Sequence, residues 1–594
     1  MTLVLKPGLN LQSPTANDPL LDLNTQPSLD LQFATSKTLD DRVSGFPLVN
    51  HQRDASSGKS AGTYVGSDGL IKTSPVNLLY NTTTYSNWIN SGQSIQTNAA
   101  ISPSGLNDAV KLVADASAGG KLFYRSATTT ATNVCSVYVK AGEYTNIQLR
   151  ELSAARFYVN FDLSAGTYAV PQSGSAPAGG FDFISADIQD VGNGWYRCIV
   201  VNSRVVGLAF SIAGYPNSAS VATSNPNFTG DGTSGVYIWG AQVEEGSTAT
   251  DYIPTTTTIS GAPRFDHDPV TGESLGLLIE ESRTNLLQYS EQFDQSVWAV
   301  GGTVSVVPNS ALGPNGLMTA DQITLGSTGA RIGQFNLITT PGQTGTASVY
   351  LKNIDHVGQL TLRTGLAGGA SYNLNLSLTS EWVRYELTTT HNGTQDVEFH
   401  IRETSANPSG SFLVFGAQLE EGSFPTSYIP TTSSTVTRAA DVASIEGTNF
   451  SSWFTQNTGT VFVEASLQSP AASGQSPIVS IDNSGADFRA ISRRASAGAR
   501  STSNADLIDV TGAIWDGEKK KIAATWVPND CALVDDGVLV GTDTSTNSPL
   551  TTVNQMQIGQ VNSGGYLARM GGHMSRLTYY PYRLADATLQ EITS

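Results

Sequence analysis

The chain has 594 residues, yet it is poor in cysteine, poor in charge and without long hydrophobic runs. Its three cysteines cannot build a disulfide framework, and they allow one bridge, between Cys135 and Cys198. No run of about 18 apolar residues occurs, so no membrane-spanning helix is expected. Segment 1–7 lacks a basic stretch followed by an apolar core and does not predict a secretory signal.

Positive charge is also scarce. Only 14% of the residues are charged, and the formal net charge is −18. An acidic surface disfavours nucleic acid and anionic membranes as electrostatic partners. The sequence therefore predicts no nucleic-acid partner and no membrane span.

Motifs of catalysis and metal binding are missing too. The six histidines show no ligand spacing, and no nucleophile elbow or phosphate-binding loop occurs. The sequence therefore predicts that the protein is not an enzyme and has neither a metal site nor a cofactor. Asp266-His267-Asp268 with Glu273 leaves two interpretations, a hard-cation site or a solvated turn, and its spacing favours the turn.

What the chain does have is a long internal repeat. The segment from Trp239 to Thr256 is repeated, with the same internal spacing, in the segment from Phe415 to Thr432. The copies lie too far apart for a solenoid, so they predict a whole domain used twice. Each copy carries two adjacent glutamates, Glu244-Glu245 or Glu420-Glu421. Adjacent strand residues point to opposite faces, so each pair predicts a structural role and not a glycosidase site.

The fold class predicted is all-β, with tandem antiparallel β-sandwiches of jelly-roll or lectin-like type and an extended N-terminal arm. Runs such as 136–140 and 348–352 alternate as half-buried strands do, and strong helical periodicity is absent. Prolines break the leucine pattern of the arm. The predicted segments are the arm 1–50, a hairpin 51–75, module 1 at 76–257, a hairpin linker 258–284, module 2 at 285–435 and a last sandwich at 436–594.

Several lines of the sequence resemble tail and fibre proteins of tailed bacteriophages, especially marine phages and cyanophages. The resemblance lies in Leu29-Asp30-Leu31-Gln32-Phe33, in 62–70 and above all in 263–287. The two repeated lines resemble the ends of carbohydrate-binding-like modules in such proteins. The run 571–590 resembles the closing strand and final helix of concanavalin A-like and laminin-G-like sandwiches.

The resemblance implies an oligomeric virion component, expected to be a trimer, that binds host-surface glycans. The expected location is the tail. The proline-broken leucine pattern of residues 1–50, which cannot form a core of its own, predicts that this arm docks on other virion proteins. Two alternatives stay open. One is a purely structural baseplate, head-fibre or capsid-decorating protein, and the other, less favoured, is a surface-polysaccharide depolymerase.

Aromatic residues are the candidate sugar-binding groups, since a flat ring can stack on a sugar. Tryptophans that recur in both modules predict core packing, whereas aromatics unique to the last sandwich are candidates for ligand binding. These candidates are Trp515, Trp526, Tyr579, Tyr580 and Tyr582.

Overall fold

The structure is a computed structural model that describes residues 26–594 apart from short gaps. The gaps are 56–61, 153–155, 172–177, 179, 206, 218–224, 338–343, 367–370, 391–396, 469–474, 484–487, 495–496, 504–505, 510–517, 545–552 and 564–565. No helix in these described ranges is long and apolar enough to cross a membrane.

The first described segment forms short elements that lead into module 1. They are β1 (Leu29–Leu31), α1 (Phe33–Ser36), β2 (Asn50–Gln52), β3 (Thr63–Val65) and β4 (Ile71–Thr73). β3 and β4 pair as the hairpin predicted within 51–75, and Asp68-Gly69 lies in the turn between them.

Module 1 is a sandwich of two antiparallel sheets around one apolar core, as its alternating runs predicted. Its front sheet has the order β14-β13-β12-β17-β10-β6, and its back sheet the order β15-β16-β11-β19-β8-β7. The strands are β5 (Val76–Asn77), β6 (Ile89–Ser91), β7 (Gln93–Ala100), β8 (Ala109–Ala114), β9 (Ala118–Gly120), β10 (Leu122–Ala127), β11 (Asn133–Ala141), β12 (Asn146–Glu151), β13 (Tyr158–Asp162), β14 (Thr167–Ala169), β15 (Phe183–Gly192), β16 (Trp195–Asn202), β17 (Leu208–Tyr215), β18 (Asn227–Thr229), β19 (Gly235–Glu245) and β20 (Ser260–Gly261).

Module 2 follows the predicted hairpin of β21 (Phe265–His267) and β22 (Ser274–Ile279). Its front sheet has the order β24-β27-β32-β29-β30, and its back sheet the order β25-β26-β33-β28-β31. The strands are β23 (Arg283–Asn285), β24 (Ala299–Gly301), β25 (Val304–Leu312), β26 (Met318–Leu325), β27 (Arg331–Leu337), β28 (Thr344–Asn353), β29 (Leu360–Leu366), β30 (Ser371–Leu376), β31 (Val383–Thr390), β32 (Val397–Glu403), β33 (Phe412–Glu421) and β34 (Val436–Arg438).

The two modules share one strand order, because module 1 differs only by the edge strands β14 and β15 and by the small β9–β18 pair. The repeated lines occupy equivalent strands, β19 and β33, and each lies between equivalent neighbours. A register shift interrupts the pairing at Ser136/Tyr138 in one copy and at Ser348/Tyr350 in the other. The duplication read from the sequence is therefore a duplication of structure.

Matching hydrogen bonds tie the start of each module to its end. The buried amide of Asn77 donates to the carbonyls of Ala241 (3.2 Å) and Ile253 (2.9 Å) and accepts from the backbone N–H of Leu79 and Val243. The same four bonds recur in module 2 around Asn285, with Ala417, Ile429, Leu287 and Leu419. An asparagine at the equivalent position thus joins the start of each module to its end.

The glutamate pairs are structural, as their adjacency predicted. Buried Glu420 accepts hydrogen bonds from the side chain of Gln418 (2.6 Å) and from both the backbone N–H and the hydroxyl of Thr426. Glu244 makes the same contacts in module 1. These bonds hold the turn after the repeated strand.

The third unit, called the base sandwich below, is assembled from distant parts of the chain. One of its sheets has the order β21-β22-β47-β36-β41-β42-β43 with β1 also paired to β47, and the other has the order β2-β35-β44-β37-β38-β39-β40. The elements after module 2 are β35 (Val442–Glu446), α2 (Gly447–Ser451), β36 (Gly459–Leu467), β37 (Gln475–Asp482), β38 (Phe488–Arg494), β39 (Ala497–Ser503), β40 (Asp506–Asp509), β41 (Lys519–Val527), β42 (Asp530–Asp535), β43 (Val538–Asp543), β44 (Gln555–Ile558), β45 (Gln560–Ser563), β46 (Tyr566–Arg569), β47 (Gly572–Tyr580) and α3 (Asp586–Ile592).

Residues 29–52 therefore belong to the base sandwich, whereas the sequence predicted an extended arm over 1–50. Leu29, Leu31 and Phe33 lie in its apolar core, and Asp30 is held by the guanidinium of Arg576 (2.9 Å). The prolines that suggested an irregular arm do not prevent three-residue strands at a sheet edge. The remainder of the predicted arm, 1–25, lies outside the described residues.

Both modules are insertions into this base, and each leaves it through a two-stranded neck. β5 pairs with β20 at module 1, and β23 pairs with β34 at module 2. The chain enters and leaves each module at one place, so the base remains a single sandwich.

A buried ion cluster, called the junction cluster below, lies where the necks meet the base. Asp441 pairs with Arg53 (3.0 Å) and Arg264, and Glu280 pairs with Arg264 (2.7 Å) and Arg438 (2.8 Å). Burial acts to raise the pKa of Glu280, but Arg438 and Arg264 outweigh it and lower the pKa to about 2. Burial likewise acts to raise the pKa of Asp441, but Arg264 and Arg53 hold it well below its usual range, so both carboxylates are ionised at neutral pH and hold the necks to the base.

Candidate functional site

The aromatic candidates of the last sandwich lie mostly in its interior. Trp526 and Tyr579 pack in the base core beside Trp453, and Tyr580 packs in the smaller core beneath α3. Half-buried Tyr582 donates its hydroxyl to the carbonyl of Gln26 (2.9 Å). Trp515 lies outside the described residues. The binding role of these five residues stays a prediction, and the three buried rings present no face to solvent.

Asp266 and Asp268 serve the fold. Asp266 accepts from His573 (2.8 Å) and from the backbone N–H of Val65, while Asp268 accepts from the backbone N–H groups of the turn that follows it. Across the described ranges, no group of three His, Cys, Asp or Glu side chains could hold a metal ion. Cys135 and Cys198 are buried free thiols, and burial raises the pKa of both.

A different set of polar groups converges on the front face of module 1, which is the side of its front sheet turned away from the core. Strand β12 alternates, so Ile147 and Leu149 enter the core while Gln148 and Arg150 take the other face. Across the sheet, Arg150 lies directly between Tyr158 on β13 and Ser211 on β17.

This row holds polar groups that have no hydrogen-bond partner in the part of the chain that the structure describes. Arg150 is 3% exposed, and its Nε and the buried hydroxyls of Tyr158 and Ser211 find no partner among these residues. Burial lowers the pKa of Arg150 to about 10, and Glu151 only partly opposes this. Buried polar groups are normally satisfied, and each one left without a partner costs about 1–3 kcal/mol. The row is therefore a prepared set of donors and acceptors.

Neighbouring side chains extend the module 1 site. Gln148 donates to Asn160 (2.8 Å) in the adjacent row, and half-buried Tyr124 lies directly across from Ser211. The face thus offers a guanidinium, amides, hydroxyls and a phenol ring. Such groups recognise sugar hydroxyls and sugar ring faces.

Module 2 places a more basic set at the equivalent positions. Arg363 takes the place of Arg150, and it lies directly across from His400 on β32. In the next row, Arg402 lies directly across from Arg331. Arg363 pairs with Glu398 (3.1 Å), whereas Arg331 and Arg402 make no ion pair within the described ranges.

His400 is the buried centre of this group. It is 2% exposed, and neither ring nitrogen has a hydrogen-bond partner among the residues that the structure describes. Burial, followed by the charges of Arg363, Arg331 and Arg402, lowers the pKa of His400 to about 3. The ring is therefore neutral at pH 7, with one nitrogen able to donate and the other to accept.

The front-face residues were missed by sequence reasoning, although a signal was present. Ile147-Gln148-Leu149-Arg150 and Leu360-Thr361-Leu362-Arg363 show the same alternation and end in arginine in both modules. Arginine on a strand whose alternate residues enter the core must lie on the opposite face. The pairing across strands, which creates each row, is not visible in the sequence.

Comparison with known proteins finds no matching family model and no matching curated protein. Among solved structures, the CBM40 module of the Ruminococcus gnavus IT-sialidase bound to α2,3-sialyllactose is 18% identical over 24% of this chain and 84% of that chain, with a TM-score of 0.22. The leech intramolecular trans-sialidase is 21% identical over 23% of each chain, with a TM-score of 0.21. The enzymatically active domain of tailspike protein 4 of bacteriophage CBA120 is 17% identical over 23% of this chain and 21% of that chain, with a TM-score of 0.20.

The prediction that the protein is not an enzyme is wrong on this comparison, because the similar structures include a trans-sialidase and the enzymatically active domain of a tailspike. The sequence argument failed for a physical reason. Missing local motifs exclude only the families that carry them, while catalytic groups brought together from distant strands leave no local pattern. The exclusion of enzyme activity is therefore withdrawn.

Proposed function

We propose that this protein is a virion component of a tailed bacteriophage, of tail-fibre or receptor-binding type, that attaches to host-surface glycans through the front faces of its two modules. The row of Tyr158, Arg150 and Ser211, with polar atoms that lack hydrogen-bond partners among the described residues, carries the proposal. The three groups are buried, so a sugar has to enter the face to reach them, and its hydroxyls could then satisfy all three at once. The phage assignment rests on the resemblance in 29–33, 62–70 and 263–287.

Two sites on one chain suit attachment. When one module is bound, the other meets the same surface at a high effective concentration, so two weak sites give strong overall binding. A trimer would multiply this effect, and we propose a homotrimer that light scattering on the purified chain would detect. A monomer in solution would instead favour a decorating protein.

A glycan array with the purified full chain tests the binding function. The wild-type chain is expected to bind host-type polysaccharides. Arg150→Ala and Tyr158→Phe are each expected to weaken glycan binding by module 1 about tenfold or more. Lys140→Gln is the matched control, since Lys140 lies half-buried on the back-sheet strand β11 of the same module. Thermal unfolding of each variant verifies that it is folded.

The results separate the three functions considered. Absence of binding to any glycan or to host cells would contradict attachment and favour the structural alternative. Shortening of the polysaccharide during incubation, measured by size-exclusion chromatography, would show that the protein is a depolymerase.

A further inference from the structure

The front face of module 2 concentrates positive charge in an acidic protein. Arg331, Arg363 and Arg402 surround His400, and Glu398 is the carboxylate that pairs with one of them. The whole chain carries a formal net charge of −18. Three arginines gathered around one buried ring repel each other, and such a group is stabilised by a bound negative charge.

The geometry suits an oxyanion. Arg331 is exposed and Arg402 half-buried, and the two lie directly across from each other on neighbouring strands. Within the described ranges, the buried Nε of Arg402 has no hydrogen-bond partner. Guanidinium groups bind carboxylates, sulfates and phosphates through paired N–H donors. The neutral ring of His400 can add one further N–H donor.

An apolar ring adjoins the charged groups. Half-buried Phe335 lies 5.7 Å from the ring of His400, and the guanidinium of Arg331 lies 5.8 Å from the Phe335 centroid. Exposed Asn373 lies directly across from Arg363 on the other side. A ring for a sugar face and an amide for hydroxyls thus flank the positive group.

The equivalent positions of module 1 lack this charge. Where module 2 has His400 and Arg402, module 1 has Ser211 and Ala213, and only the arginine on the next strand is common to both. The two front faces therefore differ in ligand chemistry although they share one fold.

From this arrangement we infer that module 2 binds an acidic polysaccharide, with Arg331, Arg363 and Arg402 receiving a carboxylate or sulfate-ester group while module 1 takes neutral sugar. The inference rests on the proposed glycan-binding function and adds its substrate class. A nucleic acid also carries oxyanions, but its continuous negative charge would meet the acidic remainder of the chain.

Calorimetric titration of the full chain with four probes tests the inference. Polygalacturonate supplies carboxylates, dextran sulfate supplies sulfate esters, dextran is the neutral counterpart, and duplex DNA supplies phosphates. At least one acidic polysaccharide is expected to bind about tenfold or more tightly than dextran, with affinity falling as salt rises. Which acidic polymer binds better identifies the substituent.

The paired variant Arg331→Gln/Arg402→Gln is expected to lose this preference by about tenfold or more. Lys352→Gln is expected to retain it, because Lys352 lies on back-sheet strand β28 of the same module. The paired variant should unfold at the same temperature as wild type or higher, since repulsion between arginines is removed. Loss of binding in a stable variant therefore reports on the site.

Three results would overturn the inference. Equal affinity for dextran and the acidic polymers, with binding still sensitive to Arg150→Ala, would leave glycan binding standing and remove the acidic specificity. Tighter binding of duplex DNA than of either acidic polysaccharide at the same salt would assign the patch to nucleic acid. Absence of binding to every polysaccharide would remove both proposals.

Discussion

Single polar residues perform two opposite tasks in this protein. Asn77 and Asn285 are buried with all their hydrogen bonds made, and each closes a module. Arg150 and His400 are buried, and the Nε of the first and both ring nitrogens of the second make no hydrogen bond to any described residue. The first kind stabilises the fold, whereas the second kind lowers stability and is expected where a ligand binds.

His400 makes stability depend on pH. Its folded-state pKa is about 3, against an ordinary value of 6.5, so the unfolded chain takes up a proton more readily. The contribution that the neutral His400 ring makes to the free energy of unfolding is fully present above pH 6.5. This contribution is lost as the pH falls towards 3. At pH 5 the loss from this residue is about 2 kcal/mol, from 1.5 pH units at about 1.4 kcal/mol each.

His400→Gln is therefore expected to reduce the difference in unfolding free energy between pH 7.5 and pH 5. Urea unfolding at the two pH values measures it. Some pH dependence should remain, because burial also lowers the pKa of His51 and His356. An unchanged difference in the variant would show that burial and the charges of Arg363, Arg331 and Arg402 do not keep the His400 ring neutral in the folded state.

At the scale of elements, the repeated strand carries the bend that both modules need. Gly240 and Gly416 have φ of 61° and 63°, within the shifted register of β19 and β33. Only glycine enters this left-handed region without steric cost. The recurrence of glycine at this position in both copies therefore reflects backbone geometry.

Gly416→Ala is expected to destabilise module 2 by about 1–3 kcal/mol. An added Cβ would lie 3.2 Å from the ring of Tyr350 and 3.3 Å from that of Tyr428. Gly447→Ala is the control, because Gly447 has a similar φ of 59° with nothing within 4 Å of an added Cβ. Denaturant unfolding measures the loss of unfolding free energy in each variant. An equal loss in both would show that backbone strain accounts for the effect of Gly416→Ala and that crowding against the two tyrosines adds nothing.

At the scale of the molecule, distant segments form one base that carries both modules. The partners Arg53 and Asp441 of the junction cluster are 388 residues apart in sequence. Breaking such a buried pair costs about 3–5 kcal/mol, because the remaining charge stays buried. Folding of the base therefore requires the segment before module 1 and the segment after module 2.

Removal of residues 1–50 is expected to unfold the base sandwich, because it removes β1 and core residues. Phe33→Ala tests the same point with one change, and the expected loss is about 3–5 kcal/mol. Val43→Ala is its control, since Val43 is 50% exposed. If thermal unfolding of Phe33→Ala matched that of the control, the N-terminal segment would not be part of the base core.

Local pattern was enough to predict the all-β class, the two hairpins and the duplicated module, because alternation, turn residues and repetition act over short distances. The structural role of Glu244 and Glu420 also followed from strand geometry. Alternation shows which residues of one strand share a face, but it does not show which strands become neighbours.

Only the tertiary structure therefore decided where β1, β2 and the β21–β22 hairpin belong, and which polar groups meet on the front faces. The arginine of β12 or β29 becomes part of a site through its partners on β13 and β17, or on β30 and β32. Those contacts arise from sheet order, which the packing of the whole chain selects.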